Sequence, residues 1–162
     1  WRDADRYVVC DERWSREDAR ARYVGDSSTV LRSVDLQPWN VFDVDCYGQP
    51  WPIMLILAAR RRWEPGELGA VVCTDSALRT KFGYASHAMV AAAGLIDRKL
   101  GKTTRDEHRS MTWLALARWA KASGVEVTGF RRVDGHMGNG DMQYFAAVFR
   151  GQSASEPCVT GR

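Results

Sequence analysis

The stretch Asn40-Val41-Phe42-Asp43-Val44-Asp45-Cys46-Tyr47-Gly48-Gln49-Pro50-Trp51 constrains this chain more than any other. It opens as a short apolar run suited to a buried strand, then stops on an acid, an aromatic, a glycine and a proline. In an open α/β sheet, ligands bind in the crevice outside the carboxyl ends of the strands. An acid and an aromatic delivered there together point to a site, because a strand used only for packing more often ends in plain turn chemistry. The competing reading of the same residues is a buried strand followed by an ordinary Tyr-Gly turn.

On either side, strand-like and helix-like segments alternate. Tyr7 to Cys10 and Ala21 to Val24 read as short strands, with a helix start at Ser15-Arg16-Glu17-Asp18 between them. Val30, Leu31 and Val34 lie on a short segment leading into the central strand. Trp51 to Ala59 predicts a helix, and Arg60-Arg61-Arg62 would form its solvated, dipole-complementing end, with phosphate contact as the alternative. After a turn at Glu64-Pro65-Gly66-Glu67 come a buried strand, Leu68 to Cys73, and a helix, Ala85 to Leu95. Thr104-Arg105-Asp106-Glu107 matches a capping box opening a helix that Gly124 closes. Two last strands, Val125 to Arg131 and Gln143 to Arg150, would form an antiparallel hairpin around the loop Asp134 to Asp141. Alternation of this kind predicts an α/β domain with a parallel sheet and helices on both faces. Residues 1–151 read as one domain and 152–162 as a flexible tail.

At 162 residues, 45% hydrophobic and 27% charged, the chain has the profile of a folded globular domain, not a disordered one. Its net charge of +3 permits a nucleic-acid partner without demanding one. It has no apolar run of about eighteen residues and no signal-peptide pattern, so a cytoplasmic location without a membrane partner is expected. Cys10, Cys46, Cys73 and Cys158 form no CxxC pair and read as reduced thiols. His87, His108 and His136 do not make a spaced set, so no metal site is expected.

Asp45-Cys46-Tyr47-Gly48 resembles the Asp-Pro-Phe/Tyr-Gly loop of the tRNA guanine dimethyltransferases, motif IV of class I S-adenosylmethionine-dependent methyltransferases. It departs at Cys46, where that family has proline. Gly69 to Leu78 is similar to the family's fifth strand and the turn after it. The resemblance implies a Rossmann-like methyltransferase sheet in the order 3-2-1-4-5-7-6, its seventh strand antiparallel beside the fifth. On that register Tyr7 to Cys10 is the second strand, Ala21 to Val24 the third and Val41 to Val44 the fourth. The family's glycine-rich motif I, which follows the first strand, is not present in this chain: Cys10-Asp11-Glu12-Arg13-Trp14 holds no glycine. A sheet without its central strand would leave buried backbone groups unpaired, at about 1–3 kcal/mol each. The expectation is therefore that the natural chain continues upstream of Trp1. Otherwise another chain supplies the strand, or the register differs.

The resemblance also implies roles. Asp11, or Glu12 one residue on, would accept hydrogen bonds from the ribose hydroxyls of S-adenosylmethionine. Asp26 and Ser27 would lie at the adenine, though Gly25-Asp26-Ser27 is also common turn chemistry. Asp45 would serve both cofactor and catalysis by holding the hydrogens of an amine acceptor, and Tyr47 would stack on its base. Pro50, Trp51, Thr74 and Asp75 would line the acceptor pocket, with helix capping as the alternative for Ser76. Asp43 shares a side with Asp45 and reads as structural. The implied activity is methyl transfer to a nucleobase amino nitrogen, in tRNA or DNA. A non-catalytic methyltransferase-like subunit is the second reading, and another doubly wound nucleotide-binding enzyme the third.

Overall fold

The structure, a computed structural model, describes residues 9–11, 22–45, 48–75, 85–95, 104–137 and 140–153. The expected helix start at Ser15, the residues Glu12, Cys46, Tyr47 and Ser76, and the tail from 154 lie outside them.

Two parallel pairs of strands open the chain. β1 (Val9–Asp11) pairs with β2 (Arg22–Val24), and β3 (Val41–Val44) pairs with β4 (Leu68–Asp75). A parallel pair needs a crossover. Between β3 and β4 it is α2 (Trp51–Arg60), opened by Pro50 at the N-cap with Pro52 in the first turn, where a missing N–H costs nothing. Between β2 and β3 lies α1 (Ser27–Ser33).

After β4 come α3 (His87–Ala92) and α4 (Arg105–Ser123). The expected capping box on α4 is present in both directions: Thr104 N–H donates to Glu107 Oε2 at 2.7 Å, and Glu107 N–H to Thr104 Oγ1 at 3.2 Å. Gly124 ends the helix at φ 68°, a left-handed conformation that favours glycine. β5 (Val125–Met137) and β6 (Gly140–Gly151) then form the expected antiparallel hairpin. It is longer than expected, because Asp134 to Met137 pairs with Gln143 back to Gly140. Glycine and acid content suggested a loop there, but continued ladder hydrogen bonding carries the strands through it.

The four-stranded sheet runs β3-β4-β6-β5, with β6 antiparallel to both neighbours. The result is a mixed α/β architecture, parallel in the two opening pairs and antiparallel through the C-terminal hairpin, as expected. Among the described residues β1-β2 forms a separate sheet.

One face of the larger sheet is sealed. Val71, Cys73, Phe145, Ala147 and Phe149 are buried there against α2, α3 and α4. Trp51 stacks on Phe145 at 5.7 Å, and Phe149 receives the edges of Trp63 (4.7 Å) and Trp119 (5.3 Å). Trp119 also donates its indole N–H to the Met54 carbonyl at 2.8 Å, so the ring is satisfied inside the core. Gly69 fits only as glycine, since a Cβ would overlap the rings of Phe149 and Trp63.

Helices were expected on both faces. Among the described residues they cover one, while the other exposes Val41, Leu68, Val133, Tyr144 and Val148. Arg61 is a second departure: it is 2% exposed, not a solvated helix end. Its guanidinium pairs with Glu67, lies 4.0 Å over the Trp63 ring and donates to the Trp39 carbonyl at 2.9 Å. A planar cation with five donors is well suited to such a buried junction.

Candidate functional site at the strand carboxyl ends

Because β3 and β4 are parallel, their carboxyl ends finish side by side. Val44 pairs with Cys73, which places Asp45 level with Thr74 and one position before Asp75. Asp45 is exposed, whereas Thr74 and Asp75 are buried. Gly48, at φ 119°, turns the chain directly into α2. Register thus leaves Asp45 level with Thr74, while Asp75 turns to the opposite, sealed side of the sheet toward His108, and Tyr47 lies outside the described residues.

Pro50 and Trp51 play a different part from the one expected. Both are buried, and the Trp51 indole is a core group stacked on Phe145. A cleft of about 530 Å³ between α2, α3 and α4 is lined by Trp51 together with Met54, Leu55, Arg118 and Trp119, but by none of Asp45, Thr74 or Asp75.

The β1-β2 pair brings a second set together. Asp11 ends β1 opposite Val24, so it stands beside the Gly25-Asp26-Ser27 turn. Asp26 caps α1: its Oδ2 accepts from Thr29 N–H at 2.8 Å and from the Thr29 hydroxyl at 2.9 Å. The backbone hydrogen bond from Thr29, with its hydroxyl second, holds this carboxyl below the usual range. The turn-chemistry reading of Asp26 is thus realised in the structure, and Ser27 is the first residue of the helix.

Sequence reasoning missed a polar cluster sealed behind Asp75. His108 and Thr112 on α4 and Gln143 on β6 are at most 3% exposed. Gln143 is the register partner of Asp75. The Thr112 hydroxyl lies 3.0 Å from both the Gln143 side-chain oxygen and the His108 carbonyl, and its one hydrogen serves one at a time. His108 Nε2 is 3.7 Å from Asp75 Oδ2, beyond hydrogen-bond length. Burial pushes the imidazole down to about 4, with Asp134 opposing and Arg132 reinforcing the shift. His108 is therefore neutral near pH 7. At the rim, burial pushes the Asp134 carboxyl up, but its hydrogen bond and charge pairing with Arg109, aided by Gln143 and Arg132, hold it below the usual range.

The signal for this cluster was a polar pair, His108 and Thr112, spaced four apart on the same helix stripe as Met111 and Ala115. Gln143 likewise begins the alternating run Phe145, Ala147, Phe149. Among the described residues no group of three His, Cys, Asp or Glu side chains is placed to hold a metal.

No family model and no curated protein matches this chain. A solved structure from Streptococcus thermophilus, described as a "putative hemolysin", is similar to it with a TM-score of 0.57 at 15% sequence identity. The alignment covers 96% of this chain and 54% of the other, so this chain spans about half the length of that protein. At that identity the two share a fold, and nothing further follows.

Proposed function

We propose that this chain is an S-adenosylmethionine-dependent methyltransferase domain of Rossmann-like architecture, cytoplasmic, acting on an amino nitrogen of a nucleobase in tRNA or DNA. The observation that carries the reading is the pairing at the strand ends: Asp45 exposed and level with Thr74 where parallel β3 and β4 finish. Two arrangements support it. The order β3-β4-β6-β5 with β6 reversed corresponds to the 4-5-7-6 half of the order the resemblance implies, and β1-β2 corresponds to its second and third strands. In that order the first strand would lie between β1 and β3.

The donor supplies an electrophilic methyl group. Asp11 would meet its ribose hydroxyls. Asp26, already engaged as a helix cap, would present its remaining acceptor capacity to the adenine amine. These acids at adjacent strand ends fit the polar half of such a cofactor, but no glycine loop in the 162 residues fits its methionine half. Asp45 would accept the hydrogens of the acceptor amine and aim its lone pair, a positioning effect of up to about 7–11 kcal/mol. Asp75, buried next to neutral His108, would hold the floor of the site in place.

The missing glycine loop favours a second reading, a methyltransferase-like subunit that binds without catalysis. Incubation with methyl-labelled S-adenosylmethionine and bulk tRNA or DNA tests the first. Label in nucleic acid that is lost in Asp45→Ala supports catalysis. Donor binding without transfer to any acceptor, or no donor binding at all, supports the second. The description of the Streptococcus protein as a hemolysin motivates one control, dye release from lipid vesicles. No described helix is long and apolar enough to cross a membrane.

A further inference from the structure

The cleft of about 530 Å³ between α2, α3 and α4 takes no part in the strand-end site, since none of Asp45, Thr74 or Asp75 lines it. α2 and α4 cross the sealed face in the same direction, from strand carboxyl ends toward strand amino ends. Trp51 to Ala58 on one and Ala115 to Ala122 on the other flank the cleft, so each wall is two helical turns, about 10 Å, long. Trp51, Met54 and Trp119 are buried and form its floor, while Leu55 and Ala91 are exposed at its mouth.

Among the described residues, the polar side chains on this wall are two exposed cations, Arg118 and Lys121, one turn apart on α4. No described acid lines the cleft, and neither cation has a hydrogen-bond or ion-pair partner among the described residues. Gly94, at φ 71°, sets Arg118 in place: a Cβ there would overlap the guanidinium, so glycine lets the arginine lie across the end of α3.

Together the two cations exceed what the helices call for. The carboxyl ends of α3 and α4, at Ala92 and Ser123, carry at most about half a negative charge each, which Arg118 and Lys121 complement. About one positive charge is left over at one end of an apolar cleft. A monoanion matches it, a doubly charged phosphate overshoots, and a cation is repelled. The volume lies within the range of about 300–1,000 Å³ typical of small-ligand pockets. We propose that this cleft binds a medium-chain fatty carboxylate. Its alkyl tail lies along Trp119 and Met54 toward Trp51, and its head meets Arg118 and Lys121 at the opposite end. Removing the tail from water supplies the affinity, and the guanidinium fork selects the carboxylate. This inference does not draw on methyl transfer, and the two fail separately.

Trp51 and Trp119 report on the cleft, so tryptophan fluorescence of the full chain tests it. Dodecanoate carrying bromine on its terminal carbon, kept below its micelle concentration, should quench the emission saturably, and plain dodecanoate should displace it. Ala91→Phe, which sets a ring in the mouth, should weaken binding about 10-fold or more, and so should Arg118→Glu/Lys121→Glu. All three positions are exposed, and circular dichroism confirms that each variant is folded. Dodecylamine should compete at least about 10-fold less well than dodecanoate. Absence of saturable quenching in the wild type would overturn the proposal. So would unchanged affinity in either variant, or displacement by dodecylamine as effective as that by dodecanoate.

Discussion

Phe149 and Val148 are neighbours in β6, yet one is wholly buried among tryptophans and the other stands 46% exposed. Both faces carry large apolar residues, but α2, α3 and α4 pack on the Phe149 face, while the Val148 face also bears Asp43 and Arg131. Alternation places residues on faces. It does not say which face a helix will cover when both could accept one.

Substitutions on the two faces should separate sharply. Phe149→Ala removes the ring that receives Trp63 and Trp119 and should destabilise the fold by about 3–5 kcal/mol in urea denaturation. A loss below about 1 kcal/mol would mean that the sealed face is not the core.

The polar cluster under the strand ends gives the next effect. His108 has its folded pKa depressed to about 4, below the ordinary 6.5, so the unfolded chain binds the extra proton more readily. Its contribution is complete above pH 6.5 and is lost as pH falls toward 4, by about 3 kcal/mol in all. Denaturation of wild type and His108→Gln across that window should show a shallower acid loss in the variant. Parallel curves would place His108 in water.

Thr104→Ala removes one arm of the capping box and should cost about 1 kcal/mol, read as a lower midpoint with unchanged slope. On the open face, Val148→Thr in dilute solution should change stability by less than about 0.5 kcal/mol. A larger loss there would erase the contrast between the faces.

Sequence read well wherever local chemistry decides structure. The Thr104 box, the Gly124 cap, the helix after Pro50 and the strand into Asp45 are all settled within a few residues of themselves. It read poorly where distant partners decide. Arg61 is buried because Trp39, Trp63 and Glu67 converge on it, although its own neighbours are arginines. The hairpin runs to Met137 because β5 and β6 keep pairing through residues that favour loops in isolation. Thr112 and Gln143 meet across two elements, 31 residues apart, and look unremarkable separately. That Asp45 leaves β3 beside the end of β4 was legible because neighbouring parallel strands end together, whereas the burial of Trp51 depended on Phe145 in the far hairpin.

Calorimetric titration with S-adenosylmethionine, run on wild type, Asp45→Ala and Val133→Thr, addresses the strand-end site most directly. The account predicts saturable one-to-one binding to wild type and to Val133→Thr, weakened about 10-fold or more in Asp45→Ala. Absence of binding to the folded wild-type chain, or equal affinity in all three, would contradict it.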